Sequence, residues 1–259
     1  MGTVIVVTSG KGGTGKTSLT GGVASCLAAL GRRVLCIDMD AGLRNLDITL
    51  GMTDRVLMDF SDVLEGRCDL DRAAVPHPRL TGLSLLTAPL RSPEGLSPGA
   101  MLPLLRQARE RYDYILLDSP AGVGAGFRLA AEGADRAVVV STSDASALRD
   151  AQRVVGELTV PTVQLVVNRV QPQLLRRLRA TIDDAMNTAG LPLLGVVPED
   201  EQVMLAANLG QPLILATRGG RSRPGLLEHC QAAGGAAGAH YAPALNPAAS
   251  TREKKGRYG

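Results

Sequence analysis

The octapeptide Gly10-Lys11-Gly12-Gly13-Thr14-Gly15-Lys16-Thr17 decides how the chain is read. It follows a short continuous apolar run, residues 4–7, and leads into a stretch of helix-forming residues, 18–30. The pattern is G-x-x-x-x-G-K-[ST], and residue frequencies give only about a one-in-a-hundred chance of meeting it anywhere in such a chain. The chemistry behind it is anion binding. Glycines let backbone N–H groups converge on phosphate oxygens. Lys16 brings a mobile charge to the β- and γ-phosphates, and the Thr17 hydroxyl ligates Mg²⁺. The helix starting near Lys16, with Ser18 in its first turn, points its positive end at the anion. Gly10, Gly12 and Gly15 also satisfy G-x-G-x-x-G, with Asp38 about twenty residues on, as a dinucleotide site requires. Lys16-Thr17 has no task on a dinucleotide pyrophosphate, so the nucleoside triphosphate reading is preferred. The chain has 24 Arg and four Lys, and two of those lysines sit in this loop, as expected where a slender point charge is needed.

Working outward, apolar runs recur at 34–37, 83–86, 114–117, 137–140, 163–167 and 193–197, each continuous rather than alternating. That is the pattern of strands buried on both faces. Helical segments lie between them, at 18–30, 98–111, 145–158 and 172–189. The alternation predicts an α/β fold: a doubly wound, mostly parallel sheet of about seven or eight strands with helices on both faces. Ligands of such sheets sit at the carboxyl ends of the strands. Two runs end there in acids, Ile37-Asp38-Met39-Asp40 and Leu117-Asp118-Ser119-Pro120-Ala121-Gly122. An Asp closing a strand beside a phosphate loop is placed to anchor Mg²⁺ or its waters, which makes Asp38 and Asp118 the metal candidates. Asp40 opens the stretch Ala41-Gly42-Leu43-Arg44-Asn45-Leu46-Asp47 and is the candidate for orienting the attacking water.

Composition narrows the field. The 259 residues suit a single domain, read here as residues 1–233, followed by a flexible Gly/Ala/Pro-rich basic tail at 234–259. One short helix is expected near 225–233. Aromatic residues make up 2%, too few for stacking single-stranded nucleic acid. Cys26, Cys36, Cys68 and Cys230 are far apart and form no C-x-x-C, which speaks against a disulfide framework or an iron–sulfur carrier. Two tail tyrosines, Tyr241 and Tyr258, are too few for a tyrosine kinase of the bacterial polysaccharide type. No apolar run is long enough to span a membrane, and no basic leader precedes residue 4, so the expected compartment is the cytoplasm.

With the extra lysine Lys11 in KGGTGKT, and with IDMDAGLRNLDITLG, LLDSPAG and GVVPED, the chain resembles the MinD branch of the MinD/ParA family of deviant Walker A P-loop ATPases. The likeness runs from about residue 3 to residue 216. It implies ATP and Mg²⁺ as cofactors and an ATP-dependent homodimer. Lys11 would reach the partner subunit's phosphates, while Lys16 holds the β- and γ-phosphates in its own subunit. Thr17 would ligate Mg²⁺, with Asp38 and Asp118 behind its waters, and Asp40 would polarise the attacking water. Asn45 would report the nucleotide state at the dimer face. Asn168, followed by Arg169, matches the family's adenine-reading Asn, and Pro198-Glu199-Asp200 the loop that packs on the base. Ser146, Arg149 and Asp150 match the surface that meets regulators, which would be MinC-like and MinE-like. The tail departs from the family. Glu253-Lys254-Lys255-Gly256 resembles the lead-in to a membrane helix, yet only Tyr258 follows where an apolar face is expected. At most a weak, salt-sensitive peripheral attachment to the inner membrane is expected.

The resulting expectation is a Mg²⁺-dependent ATP hydrolase acting as a dimerisation switch in division-site placement, with a flagellar-placement relative as the near alternative. A DNA-segregation ATPase of the ParA kind is the further alternative, and Arg176-Arg177-Arg179 is its candidate phosphate contact. A net charge of +3 shows acids nearly balancing bases, so nucleic acid is the less favoured partner.

Overall fold

The computed structural model describes residues 1–55, 57–90 and 99–216. In chain order the elements are β1 (Thr3–Thr8), α1 (Lys16–Ala29), β2 (Val34–Asp38), α2 (Leu46–Leu50), α3 (Phe60–Leu64), α4 (Leu70–Ala73), β3 (Val75–Pro76), β4 (Leu83–Leu86), α5 (Leu102–Arg111) and β5 (Tyr114–Asp118). They continue with α6 (Ala125–Ala131), β6 (Arg136–Ser141), α7 (Ala145–Glu157), β7 (Thr162–Val170), α8 (Pro172–Leu178), α9 (Ile182–Ala189), β8 (Leu193–Pro198), α10 (Glu201–Asn208) and α11 (Leu213–Ala216). The expected helix near 225–233 and the tail lie outside the described residues.

One eight-stranded sheet has the order β3-β4-β2-β5-β1-β6-β7-β8, parallel throughout except for the β3–β4 pair. The chain starts at the centre, builds outward in one direction and then crosses β1 to build in the other. This is the doubly wound arrangement expected from the βα alternation, and it puts a topological switch point at the carboxyl end of β1. Successive residues of β1 enter different cores, which is why the strands read as unbroken apolar runs. Val4 and Val6 pack with Phe60, Met101, Leu104 and Ala108 of one helical layer, and Ile5 and Val7 pack with Ala24, Leu27, Leu46 and Ile214 of the other. A third cluster joins Leu148 and Ala151 of α7 with Ala185 and Ala189 of α9 under β6 and β7. With so few aromatics, Leu, Val, Ile and Ala carry the burial, at about 1.5–3 kcal/mol for each large side chain removed from water.

Two local readings need correction. The segment 172–189 is not one helix. Arg179, with φ of 52°, caps α8, and Thr181 opens α9 with a capping box in which its hydroxyl accepts the Asp184 N–H at 3.1 Å and the Asp184 carboxylate accepts the Thr181 N–H at 2.7 Å. The helix expected from residue 98 begins at Leu102, with Pro103 in its first turn, where its missing N–H costs nothing.

Candidate nucleotide site

Strand register builds the site. Asp38 stands beside Asp118 in the parallel β2–β5 pair, and Asp118 stands beside Val7 in the β1–β5 pair. Register-matched residues of parallel neighbours share a face, so the two carboxylates lie together at the strand ends. Both are almost fully buried. Asp38 accepts the N–H of Asp40 at 2.9 Å and the N–H of Leu46 at 3.1 Å, which ties α2 to the end of β2. Burial nonetheless pushes its carboxyl up to about 6. Burial, reinforced by the Asp38 charge, pushes Asp118 up to about 7, against the hydroxyls of Thr17 and Thr20 and the charge of Lys16. The Thr20 hydroxyl lies 3.2 Å from Asp118 Oδ1.

The loop between β1 and α1 folds over this pair. Gly13 and Gly15 have φ of 79° and 89°, conformations that side chains with a Cβ rarely adopt, and Gly15 caps α1. Lys16 is buried at the first position of α1, and Thr17 and Ser18 follow in its first turn. A Cβ on Gly10 would lie 2.2 Å from the Asp150 carbonyl carbon, so α7 packs directly on the start of the loop. A Cβ on Gly15 would lie 2.3 Å from Asn168 Nδ2. The buried hydroxyls of Thr8 and Thr14 have no hydrogen-bond partner. Left-handed glycines that bring the backbone close, orphaned buried hydroxyls and two adjacent carboxylates needing a countercharge suit a phosphate with a divalent cation. These residues fit Mg²⁺-nucleotide.

The other candidates are distributed around this centre. Asp40 is half-buried just beyond Asp38, and Asn45 is the exposed N-cap of α2. Asn168 is buried at the end of β7 and donates Nδ2–H to the Thr14 carbonyl at 2.7 Å, so one side of its amide braces the phosphate loop. Arg169 has φ of 55° and grips Glu199 at 2.8 Å, which fastens the Pro198-Glu199-Asp200 loop to β7. The Gln171 amide bonds the same carboxylate. Asp200 caps α10 through the Gln202 N–H. Arg149 and Asp150 lie one turn into α7.

Lys11 is not directed at its own loop. Its Nζ lies 3.1 Å from Asp144 Oδ1 and 2.9 Å from Ser146 Oγ. Asp144 is the N-cap of α7, and Thr142 also bonds its carboxylate. Burial opposes the charge on Asp144, but the bonds from Thr142, Ser146, the Ala147 N–H and Lys11 outweigh it and hold the carboxyl well below the usual range. The sequence reading missed Asp144 and Thr20. The signal for Asp144 was its place as a capping residue after β6; for Thr20 it was the single helical turn separating it from Lys16.

The profile of the CobQ/CobB/MinD/ParA nucleotide binding domain matches residues 5–213. The chain is similar to the septum site-determining protein MinD of Synechocystis, with 40% identity over 231 residues covering 87% of this chain and 86% of that one. Among solved structures it resembles the MinC:MinD cell division complex of Aquifex aeolicus, with a TM-score of 0.76 and 37% identity over 82% of this chain and 88% of that one. It also resembles the septum site-determining protein MinD complexed with Mg-ADP from Pyrococcus horikoshii, with a TM-score of 0.71 and 26% identity over 93% and 99% of the two chains. Profile, relatives and the loop-and-carboxylate geometry agree, and the chain belongs to the MinD branch of the CobQ/CobB/MinD/ParA family.

Proposed function

We propose that the chain is a Mg²⁺-dependent ATPase that works as a nucleotide-driven dimerisation switch in division-site placement. The observation that carries this reading is the buried Asp38–Asp118 pair under a phosphate loop whose Lys11 turns away from its own subunit's site. When bound, Mg²⁺ neutralises charge that develops on the phosphates. The residues of the chain do the positioning. Gly10, Gly12, Gly13, Thr14 and Gly15 offer main-chain N–H groups, Lys16 and Ser18 would hold the phosphates, and Thr17, Asp38 and Asp118 would hold the Mg²⁺ and its waters. Asp40 orients the attacking water. Asn168, Arg169 and the Pro198-Glu199-Asp200 loop receive the base.

Lys11 is the switch element. Released from Asp144 and Ser146, it reaches the partner subunit's phosphates, so hydrolysis waits for dimerisation. Asn45 and the α7 residues Ser146, Arg149 and Asp150 then form the surface read by MinC-like and MinE-like regulators. Among the described residues no helix is long and apolar enough to cross a membrane.

Light scattering after size exclusion tests the switch. The expected mass is that of a dimer in ATP and of a monomer in ADP, with Lys16→Ala monomeric in both. Turnover per subunit should rise with protein concentration. A monomer in ATP together with concentration-independent turnover would refute it.

A further inference from the structure

Helix α8 stands almost entirely in solvent. Leu175 is the one residue of the helix that is partly buried, packed on the α7–α9 cluster. Leu174 and Leu178 are 41% and 60% exposed. Their i,i+4 spacing stacks them on one side of the helix, with Arg177 beside them. Arg176, Arg177 and Arg179 are exposed as well, and none forms an ion pair among the described residues. Between residues 171 and 188 the acids are Asp183 and Asp184, and Asp184 serves the capping box, while Glu199 is held by Arg169 and Gln171. Arg179 sits in the left-handed region, where Gly or Asn is the usual choice, so the chain tolerates strain to end the helix on a third arginine.

We propose that α8 is a docking surface for an anionic lipid bilayer, with Leu174 and Leu178 entering the interface and Arg177, beside them, and Arg179, at the end of the helix, meeting the headgroups. Charge complementarity selects an anionic partner, and the leucines select lipid over nucleic acid. Arginines alone would serve a phosphate backbone, whereas DNA offers exposed leucines no apolar medium. A helix with an apolar stripe flanked by unpaired basic residues is the pattern of an interfacial contact. Each arginine near an anionic surface strengthens binding about fivefold. One such short helix binds weakly, and two copies in a dimer bind more strongly through avidity. This surface is separate in sequence from the basic tail, and binding by a single copy does not depend on the ATPase reading.

Sedimentation of the full chain with vesicles tests it. Vesicles of phosphatidylcholine alone are compared with vesicles containing one third phosphatidylglycerol, at low and high salt, in ATP and in ADP. The parent is Lys254→Ala/Lys255→Ala, which removes the lysines of the tail. The expected result is binding of this parent to the anionic vesicles at low salt. Leu174→Ser/Leu178→Ser, which alters only exposed side chains, should reduce binding about tenfold while leaving the charge unchanged. Arg177→Gln/Arg179→Gln should reduce it about twenty-fivefold. Because the ADP arm needs no dimer, leucine-dependent binding there supports the surface even if the switch fails. Three results would overturn the proposal: no sedimentation of the parent, equal sedimentation of the leucine variant, or retention on duplex DNA that depends on the arginines alone while vesicles bind nothing.

Discussion

Asp118→Asn is expected to stabilise the nucleotide-free protein while disabling it. Asp118 is 2% exposed, and its carboxyl is raised from an ordinary 3.8 to about 7, first by burial and then by the charge of Asp38. A carboxyl raised on folding favours the folded state in its protonated form. That contribution is complete below about pH 4 and is lost as pH climbs to 7. At pH 8 the folded protein therefore carries an ionised carboxylate at a cost of up to about 4 kcal/mol relative to the unfolded chain. Asparagine keeps the shape and still accepts the Thr20 hydroxyl, which lies 3.2 Å from Oδ1 in the native protein. Urea denaturation in EDTA without nucleotide should show the variant more stable by about 2–4 kcal/mol at pH 8, with the gain falling below about 1 kcal/mol at pH 4.5. Addition of Mg²⁺-ATP should reverse the order, because ligand that binds only the folded state stabilises the wild type and hardly the variant. A variant less stable than wild type at pH 8, or a gain that does not change with pH, would show that the carboxylate is not the strained group of this site.

Other substitutions test separate contacts. In Gly10→Ala the new Cβ would stand 2.4 Å from the Asp150 carbonyl oxygen, so loop and α7 must part; a loss of about 1–3 kcal/mol in stability is expected, with nucleotide affinity falling at least about tenfold in a fluorescent-nucleotide titration. Lys11→Ala should keep nucleotide affinity in that titration and lose the dependence of turnover on protein concentration, and unchanged turnover would reject a cross-subunit role. Thr181→Ala removes the α9 cap and should cost about 1 kcal/mol in urea with no change in nucleotide affinity.

What could be read in the sequence was set by how far each feature reaches. The long parallel strands announce themselves because Val4 through Val7 are buried on alternating faces, so every position is apolar. The two-residue edge strand β3 pairs antiparallel with β4 and contains Pro76, and it escaped detection because it leaves no periodic trace. The break at Arg179 was legible in principle, since Thr181 and Asp184 have the spacing of a capping box, but the apolar pattern running through it read as one helix. That Asp38 and Asp118 close their strands was legible because a strand end is a local event. Their coupling was not, because it arises from the β2–β5 register.

Lys11 shows the same limit from the functional side. Its spacing in the loop identifies it as the extra lysine, but nothing nearby in the chain says where it points. The partners lie 133 and 135 residues away, at the head of α7, and only the packing of α7 onto Gly10 brings them within reach. On the proposed cross-subunit role, the Asp144 carboxylate in its own subunit competes for the lysine with a phosphate in another. An ion pair that is one-third to one-half exposed contributes on the order of 0–1 kcal/mol, little enough for a phosphate to displace. If the pair restrains Lys11, Asp144→Ala should raise turnover at low protein concentration, where dimers are scarce and freeing the lysine counts most. A turnover that stays at or below the wild-type value there, with α7 still folded by circular dichroism, would mean that Asp144 positions the lysine rather than restraining it.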